Sequence, residues 1–321
     1  MSAPGDLASL LASGEHAAFH GKPHAAVGVL EQAVVLAQSQ GRDAEMAAAA
    51  WLLGVALGAG GRYGAALTVL SPLVEAARSG SASPESRLFG AFAGSTIASV
   101  HRQLGRHAFA READLGALAM AAGSPEASFD AQVGLAAAAV GVGDLDEAAA
   151  RAAEAAQLVP ERADEWWRQR VRLGWVQADL ALQEGQLDLA ASRAKQAVDR
   201  AEQARAPRHV AKSLLYLGLA QVSGGDETAV DGAPVDDDRE GPDATLTLRR
   251  AATLAESLGT IPLVWPARAL LGALLEYDDP AESAKSLAAA RSAVLTIAGD
   301  LPPGVRADWL ARNDVAALLG G

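Results

Sequence analysis

The chain has 321 residues, half of them hydrophobic but only 4% aromatic, and its net charge is -12. A chain of this length forms either several domains or an extended array of repeats, and its many alanines favour helices. The acidic charge argues against nucleic acid as a partner, the lack of cysteine excludes disulfides and thiolate zinc sites, and no segment has the roughly 18 uninterrupted apolar residues of a membrane span.

The first residues, Met1 to Leu11, include Asp6 and have neither the basic start nor the apolar run of a signal peptide. Together with the missing membrane span, this predicts a cytoplasmic protein that makes no use of a membrane.

Glycines that close helical runs recur at intervals of 38 to 44 residues: Gly21, Gly61, Gly105, Gly143, Gly185 and Gly225. A tiny residue precedes each of them by seven positions, and an alanine follows most of them by five. Glycine inside a helix costs ~0.5–1 kcal/mol relative to alanine, so Gly14, Gly54 and Gly218 require close helix contact as compensation. The pattern predicts helix hairpins in which the tiny residue faces that alanine and the closing glycine is left-handed.

Capping residues mark the ends of these hairpins. Ser83 and Ser124, each followed by proline, predict serine N-caps, and Asp144 and Asp279 fit aspartate caps. We therefore predict one solenoid of seven helix pairs with a C-terminal cap, at about 5–40, 43–79, 84–121, 125–159, 162–204, 207–258 and 264–298, with the cap at 301–319.

An acidic insertion interrupts the sixth pair at 225–242, where little can be buried, and it predicts a solvated loop. Its aspartates lack the alternating spacing and the glycine turn of a calcium loop. In the cap, Trp309, Leu310, Val315 and Leu318 are expected to pack inward and to seal the apolar face of the last repeat.

Leu53-Gly54, Gly61-Arg62-Tyr63 and Ala66 resemble the signature of the tetratricopeptide repeat family, and Leu135-Ala136 through Pro160 repeats it. The family's usual period is ~34 residues, so the helices or connections here are longer. The resemblance implies an all-α fold, a right-handed superhelical solenoid of about seven antiparallel helix hairpins with a C-terminal capping helix.

In that family the first helix of each pair lines a concave surface that grips peptides. Carried over by register, the peptide-binding residues are Trp51, Phe92, Arg102, Asp130, Arg172, Trp175, Asp179 and Lys212, with Val55, Ser95, Ser99, Val133 and Leu215 beside them. Arg102, Arg172 and Lys212 would form a positive strip that favours an anionic or carboxylate-bearing peptide. For the two tryptophans, packing between hairpins is an equal alternative.

Trp166 and Trp167 are adjacent at the start of the fifth pair. Neighbours on a helix point about 100° apart, so both cannot face one core, and one is expected at a surface or an interface.

No motif for catalysis is present: the sequence has no phosphate loop, dinucleotide fingerprint, nucleophile elbow or zinc-protease helix. His16 and His20 share a spacing able to chelate a metal, but Gly21 and Pro23 break the helix before His24. Exposed helix-face histidines are the preferred interpretation. We predict no enzyme, no cofactor and no metal.

The leading hypothesis is a non-enzymatic scaffold or adaptor that binds a peptide segment of a partner protein in its concave groove. The alternative is a sensory or regulatory protein that closes around a signal peptide or a small molecule, and an enzyme or metal protein is less favoured. The partner and the oligomeric state do not follow from the sequence.

Overall fold

The structure, a computed structural model, describes residues 6–79, 82–121, 123–160, 164–228 and 243–320, and the regular secondary structure of these ranges is helical. A short 3-10 turn, Asp164–Trp166, precedes α9. The helices are α1 Leu7–His20, α2 Pro23–Ser39, α3 Asp43–Ala59, α4 Tyr63–Arg78, α5 Pro84–Gln103, α6 His107–Met120, α7 Pro125–Val142, α8 Leu145–Leu158, α9 Trp167–Gln183, α10 Leu187–Gln203, α11 Pro207–Thr228, α12 Ala244–Leu258, α13 Ile261–Leu274, α14 Pro280–Asp300, α15 Pro303–Leu310 and α16 Asn313–Leu319.

Consecutive helices from α1 to α14 pack against each other as hairpins. The first helix of each hairpin also packs against the first helix of the next, from α1 through α13. The predicted serine and aspartate caps form: Ser83, Ser124, Asp144 and Asp279 each accept a hydrogen bond from a backbone N–H of the first turn. The predicted all-α solenoid of helix hairpins is therefore confirmed, with the odd-numbered helices on its inner side.

The tiny residues on the first helices allow close contact, but their partners differ from the prediction. Gly14 and Gly54 lie against Leu30 and Leu70, which are one helical turn beyond the alanines expected there, and Gly218 lies against Leu248. A Cβ at any of these glycines would overlap the leucine side chain. At these three positions the glycine makes room for a leucine of the second helix, and that leucine fills more of the space between the two helices than an alanine would.

Two of the six closing glycines do not behave as predicted. Gly61, Gly105, Gly143 and Gly185 are left-handed, with φ between 72° and 81°. Gly21 is extended instead, and so is Lys22, which Pro23 at the start of α2 holds out of the helical conformation. Helix α11 continues through Gly225 to Thr228. Glycine weakens a helix by about 1 kcal/mol but does not by itself end one.

The predicted acidic loop at 225–242 therefore begins within α11, and its residues 229–242 lie outside the described residues. The description resumes at Asp243, which caps α12 by accepting a hydrogen bond from the Thr245 N–H at 2.7 Å.

The C-terminal helices pack on the early repeats as well as on the last pair. Trp309 and Val315 are buried in one cluster with Phe19, Leu52 and Tyr63. The Asp300 carboxylate accepts hydrogen bonds from the Gly64 and Ala65 N–H groups, at 2.6 and 3.1 Å, and so caps the start of α4. The cap packs on the last pair as predicted, and its contact with the early repeats is an addition to the prediction.

Arg312 makes a second contact between the C-terminal helices and the early repeats. Its Nη1 donates to the Gln103 carbonyl at 2.7 Å, at the end of α5, where helix carbonyls lack partners. Gly105 is required beside it, because a Cβ there would crowd the arginine stem. Charged groups from the end of the chain thus occupy the first turn of one early helix and the last turn of another, which suits both helix dipoles.

The N-terminal hairpin meets the middle of the chain in the same way. The Phe19 ring lies 5.2 Å from the Arg168 guanidinium, and the His20 ring lies 5.3 Å from Trp167. His20 Nδ1 is 3.3 Å from the Arg205 carbonyl oxygen. The superhelix is therefore wound tightly enough to close on itself around a central cavity.

None of the helices in the described ranges is both long and apolar enough to cross a membrane.

Candidate ligand-binding cavity

The central cavity has a volume of about 460 Å³ and is lined mainly by the first helices of the hairpins. Pockets of 300–1,000 Å³ are typical of small-ligand sites. Of the charged side chains that line it within the described ranges, six are Arg or Lys and one is a carboxylate: Arg102, Arg168, Arg172, Arg208, Lys212, Arg312 and Asp130. In a protein with a net charge of -12, this interior is locally positive.

Arg102 is paired behind the wall. Its Nη1 donates to the fully buried carboxylate of Asp114 and, at 3.1 Å, to the Gly134 carbonyl. Burial raises the pKa of Asp114, and the Arg102 guanidinium in contact with it opposes that rise. We regard the carboxylate as ionised at neutral pH, since it lies in direct contact with a guanidinium. Gly134 leaves the room that this carboxylate occupies.

Asp130 serves two arginines at once. Arg172 pairs with its Oδ1, and Arg168 lies 3.3 Å from its Oδ2. Burial by itself would raise the pKa of Asp130, but the two guanidinium groups outweigh it and hold the pKa below its usual value. One negative charge is shared between two positive ones, so this cluster keeps a net positive charge.

Arg208 and Lys212 lie one helical turn apart on α11 and have no ion pair within 4 Å among the described residues. Nε of Arg208 is buried and has no hydrogen-bond partner in that part of the chain. Burial lowers the pKa of Arg208 to about 10, and Arg168 and Arg172 contribute. Burial, with Arg172, Arg102 and Arg208, lowers the pKa of Lys212 to about 7.

Asp179 is the carboxylate whose charge raises the pKa of Lys212, but it is not among the residues that line the cavity. Burial raises the pKa of Asp179 to about 6, and Lys212 opposes that rise. Asp179 therefore compensates Lys212 only in part and from outside the cavity surface.

Trp175 is held rigidly beneath the Lys212 ammonium group. Its Nε1 donates to the Ser213 Oγ at 2.8 Å, and its ring stacks on His209 with centroids 5.5 Å apart. The Lys212 Nζ lies 4.4 Å from the Trp175 ring centroid, which is a cation–π contact. Trp175 is 9% exposed, so both sequence interpretations hold for it: it packs between hairpins and also reaches the cavity.

A second part of the cavity wall is aromatic. Trp51 lines the cavity, stacks on Phe92 at 4.7 Å and contacts Phe19 at 6.4 Å. Its Nε1 donates to the Thr96 Oγ1 at 3.2 Å. Phe92 supports this wall from behind Trp51 and is not among the residues that line the cavity.

Four residues that line the cavity contain a buried polar atom without a partner in the described ranges: Ser95, His107, Arg208 and His209. Buried polar atoms in folded proteins are nearly always hydrogen bonded. These atoms can therefore be satisfied by water or by a ligand.

The structure brings most of the residues selected from the sequence to one place. Trp51, Arg102, Asp130, Arg172, Trp175 and Lys212 line the cavity, as do Val55, Ser95, Ser99, Val133 and Leu215, whereas Phe92 and Asp179 do not. The expected positive strip needs correction: Arg102 and Arg172 are paired with carboxylates, and Arg208, absent from the prediction, stands with Lys212 without such a partner.

The adjacent tryptophans point to different surroundings. Trp166 is buried with its edge against Phe129, at a centroid distance of 6.2 Å. Trp167 is half-buried and touches His20 and His209, so it joins the N-terminal hairpin to α11.

The predicted histidine pair also enters this contact. The rings of His16 and His20 stack at 5.2 Å. Nowhere in the described ranges do three or more His, Asp or Glu side chains converge in a way that could hold a metal.

This chain is similar to the crystal structure of the apo form of RapI, with 12% sequence identity, a TM-score of 0.48, and coverage of 98% of this chain and 84% of that chain. A likeness this distant carries no argument about ligand or function. No family model and no curated protein matches the sequence. The helical-repeat architecture rests on the packing of the helices in this structure, and the tetratricopeptide resemblance rests on the residues alone.

Proposed function

We propose that this protein is a non-enzymatic regulatory binding module that takes a small molecule or the end of a short peptide into its central cavity. The observation that carries the proposal is the closure of the superhelix around a cavity of about 460 Å³. An adaptor that grips an extended segment needs an open groove across several repeats. Contacts of Asp300 and Arg312 with α4 and α5 favour a short, enclosed ligand instead.

The lining supports binding rather than catalysis. Five of its seven charged side chains are arginines, which bind anions but do not exchange protons at neutral pH. Rigid aromatic side chains, Trp51 and Trp175, offer contact area at little cost in conformational entropy. Such a site can recognise a ligand, and binding can change how the helices of the closed superhelix pack.

The test is retention of ligands from cell extract. Immobilised protein is incubated with the low-molecular-mass fraction of a native extract, washed and denatured, and the released compounds are identified by mass spectrometry. A Ser99→Trp variant fills the cavity from α5, where Ser99 lines it. Ser192→Trp, which adds the same bulk at an exposed position on α10, is the matched control.

We expect wild type and Ser192→Trp to retain the same compound and Ser99→Trp to lose it. Far-ultraviolet circular dichroism must show equal helicity for all three proteins. Small-angle scattering then measures whether the radius of gyration of the protein decreases when the compound is bound. If Ser99→Trp retains the compound, binding occurs outside the cavity and the proposal is wrong.

A further inference from the structure

We propose that the α9–α11 side of the cavity is an oxyanion site, in which Arg208 and Lys212 bind a carboxylate or phosphoryl group of the ligand. The inference rests on the proposed function and deepens it, since it assigns the chemical class of the ligand. It starts from the charges that face the cavity.

The first step is the charge count. Asp114 neutralises Arg102, Asp314 neutralises Arg312 at 2.6 Å, and Asp130 neutralises one of Arg168 and Arg172. One positive charge remains on the Arg168–Arg172 pair, Arg208 adds a second, and Lys212, which Asp179 compensates only in part, carries a further one. Buried charges are normally paired, so this excess of positive charge at one wall indicates a site for a missing anion.

The second step is the position of the two unpaired cations. Arg208 and Lys212 are four residues apart on α11 and therefore share one helix face. Both line the cavity, as do Arg168 and Arg172, and burial together with the positive charges of neighbouring arginines lowers the pKa of each. Because one helical turn separates the two residues, a single ligand group can lie between their cationic groups.

The third step is the hydrogen-bonding geometry. The unpartnered Nε of Arg208 is part of a guanidinium fork, which matches the two oxygens of a carboxylate or phosphoryl group. The Lys212 ammonium rests on the Trp175 face, which fixes its position but leaves its protons free for an acceptor. A neutral ligand can accept hydrogen bonds from both groups but leaves their positive charges uncompensated.

The experiment uses the full chain with two probes, inorganic phosphate and succinate, each titrated at constant ionic strength set with sodium chloride. Isothermal titration calorimetry gives the dissociation constants. The double variant Arg208→Gln with Lys212→Gln removes the proposed site. The control, Lys195→Gln with Lys285→Gln, removes the same two charges from exposed positions on α10 and α14.

We expect the site variant to bind at least one probe about tenfold more weakly than wild type, and the control to stay within about twofold. The probe with the larger loss distinguishes a phosphoryl ligand from a carboxylate ligand. The inference is overturned if neither probe binds wild type better than chloride, or if the site variant and the control lose affinity equally.

The two proposals can fail separately. If Ser99→Trp abolishes retention of the extracted compound while neither probe binds, the cavity is a binding site but its ligand is not an anion. If the probes bind as expected but no compound depends on the cavity, the oxyanion site stands and the proposed function does not.

Discussion

The two walls of the cavity are built around the same unit but serve different chemistry. Trp51 donates to Thr96, whose hydroxyl donates to the carbonyl four residues earlier, and Trp175 donates to Ser213 in the same arrangement. Around Trp51 the neighbours are phenylalanines, and around Trp175 they are His209 and Lys212. A repeat fold thus fixes how a tryptophan is anchored, while neighbouring residues decide what its face presents to a ligand.

The largest expected effect follows from removing the negative charge of Asp130, which pairs with Arg168 and Arg172. Asp130→Asn leaves Arg168 and Arg172 facing each other without a carboxylate. Removing one partner of a buried ion pair costs about 3 kcal/mol in free energy of unfolding. Urea unfolding of the variant measures this. A loss below about 1 kcal/mol would mean that solvent in the cavity already screens the arginines.

The opposite sign is expected for Lys212→Met, because a buried charge that Asp179 compensates only in part is removed from the unliganded protein. We expect a gain of about 2 kcal/mol near neutral pH. The charges of Arg172, Arg102 and Arg208 lower the pKa of Lys212, and the charge of Asp179 raises it.

The pH dependence of this gain follows from the depressed pKa of Lys212, about 7 instead of 10.5. Between these values the unfolded chain binds a proton that the folded protein does not, so wild-type stability rises with pH. The advantage of Lys212→Met should be constant below about pH 7 and should shrink as pH rises toward 10.5. Unfolding curves across this range test it, and a gain independent of pH would contradict the depressed pKa.

The smallest effects compare the two tryptophan anchors directly. Ser213→Ala leaves the buried Trp175 N–H without its acceptor and should cost about 1.5 kcal/mol, whereas Thr96→Val beside the half-buried Trp51 should cost about 0.5 kcal/mol. Both values come from the same unfolding measurement. Equal costs would show that water reaches the two tryptophan N–H groups to the same extent.

Much of the fold followed from the sequence because the repeat imposes it. The spacing of glycines and caps gave the hairpins, and the helical register placed Trp51, Arg102 and Lys212 on the inner side. Arg168 and Arg208 were missed although a signal existed: each lies one helical turn before a residue that was selected, Arg172 or Lys212.

Other features had no local signal. Asp114 lies on a second helix, and its burial opposite Arg102 depends on Gly134 from the next hairpin. The contact of Asp300 with α4 joins residues more than two hundred positions apart. Both depend on how tightly the superhelix winds, which is set by the sum of many small packing angles along the array.

Ring closure also changes how the protein can come apart. In an open array of repeats each unit touches only its neighbours, so the ends fray first and unfolding proceeds inward. Here Asp300 and Arg312 tie the last helices to α4 and α5. The array then has no independent C-terminal end, and its last helices separate from the early repeats only when those two helix caps are released.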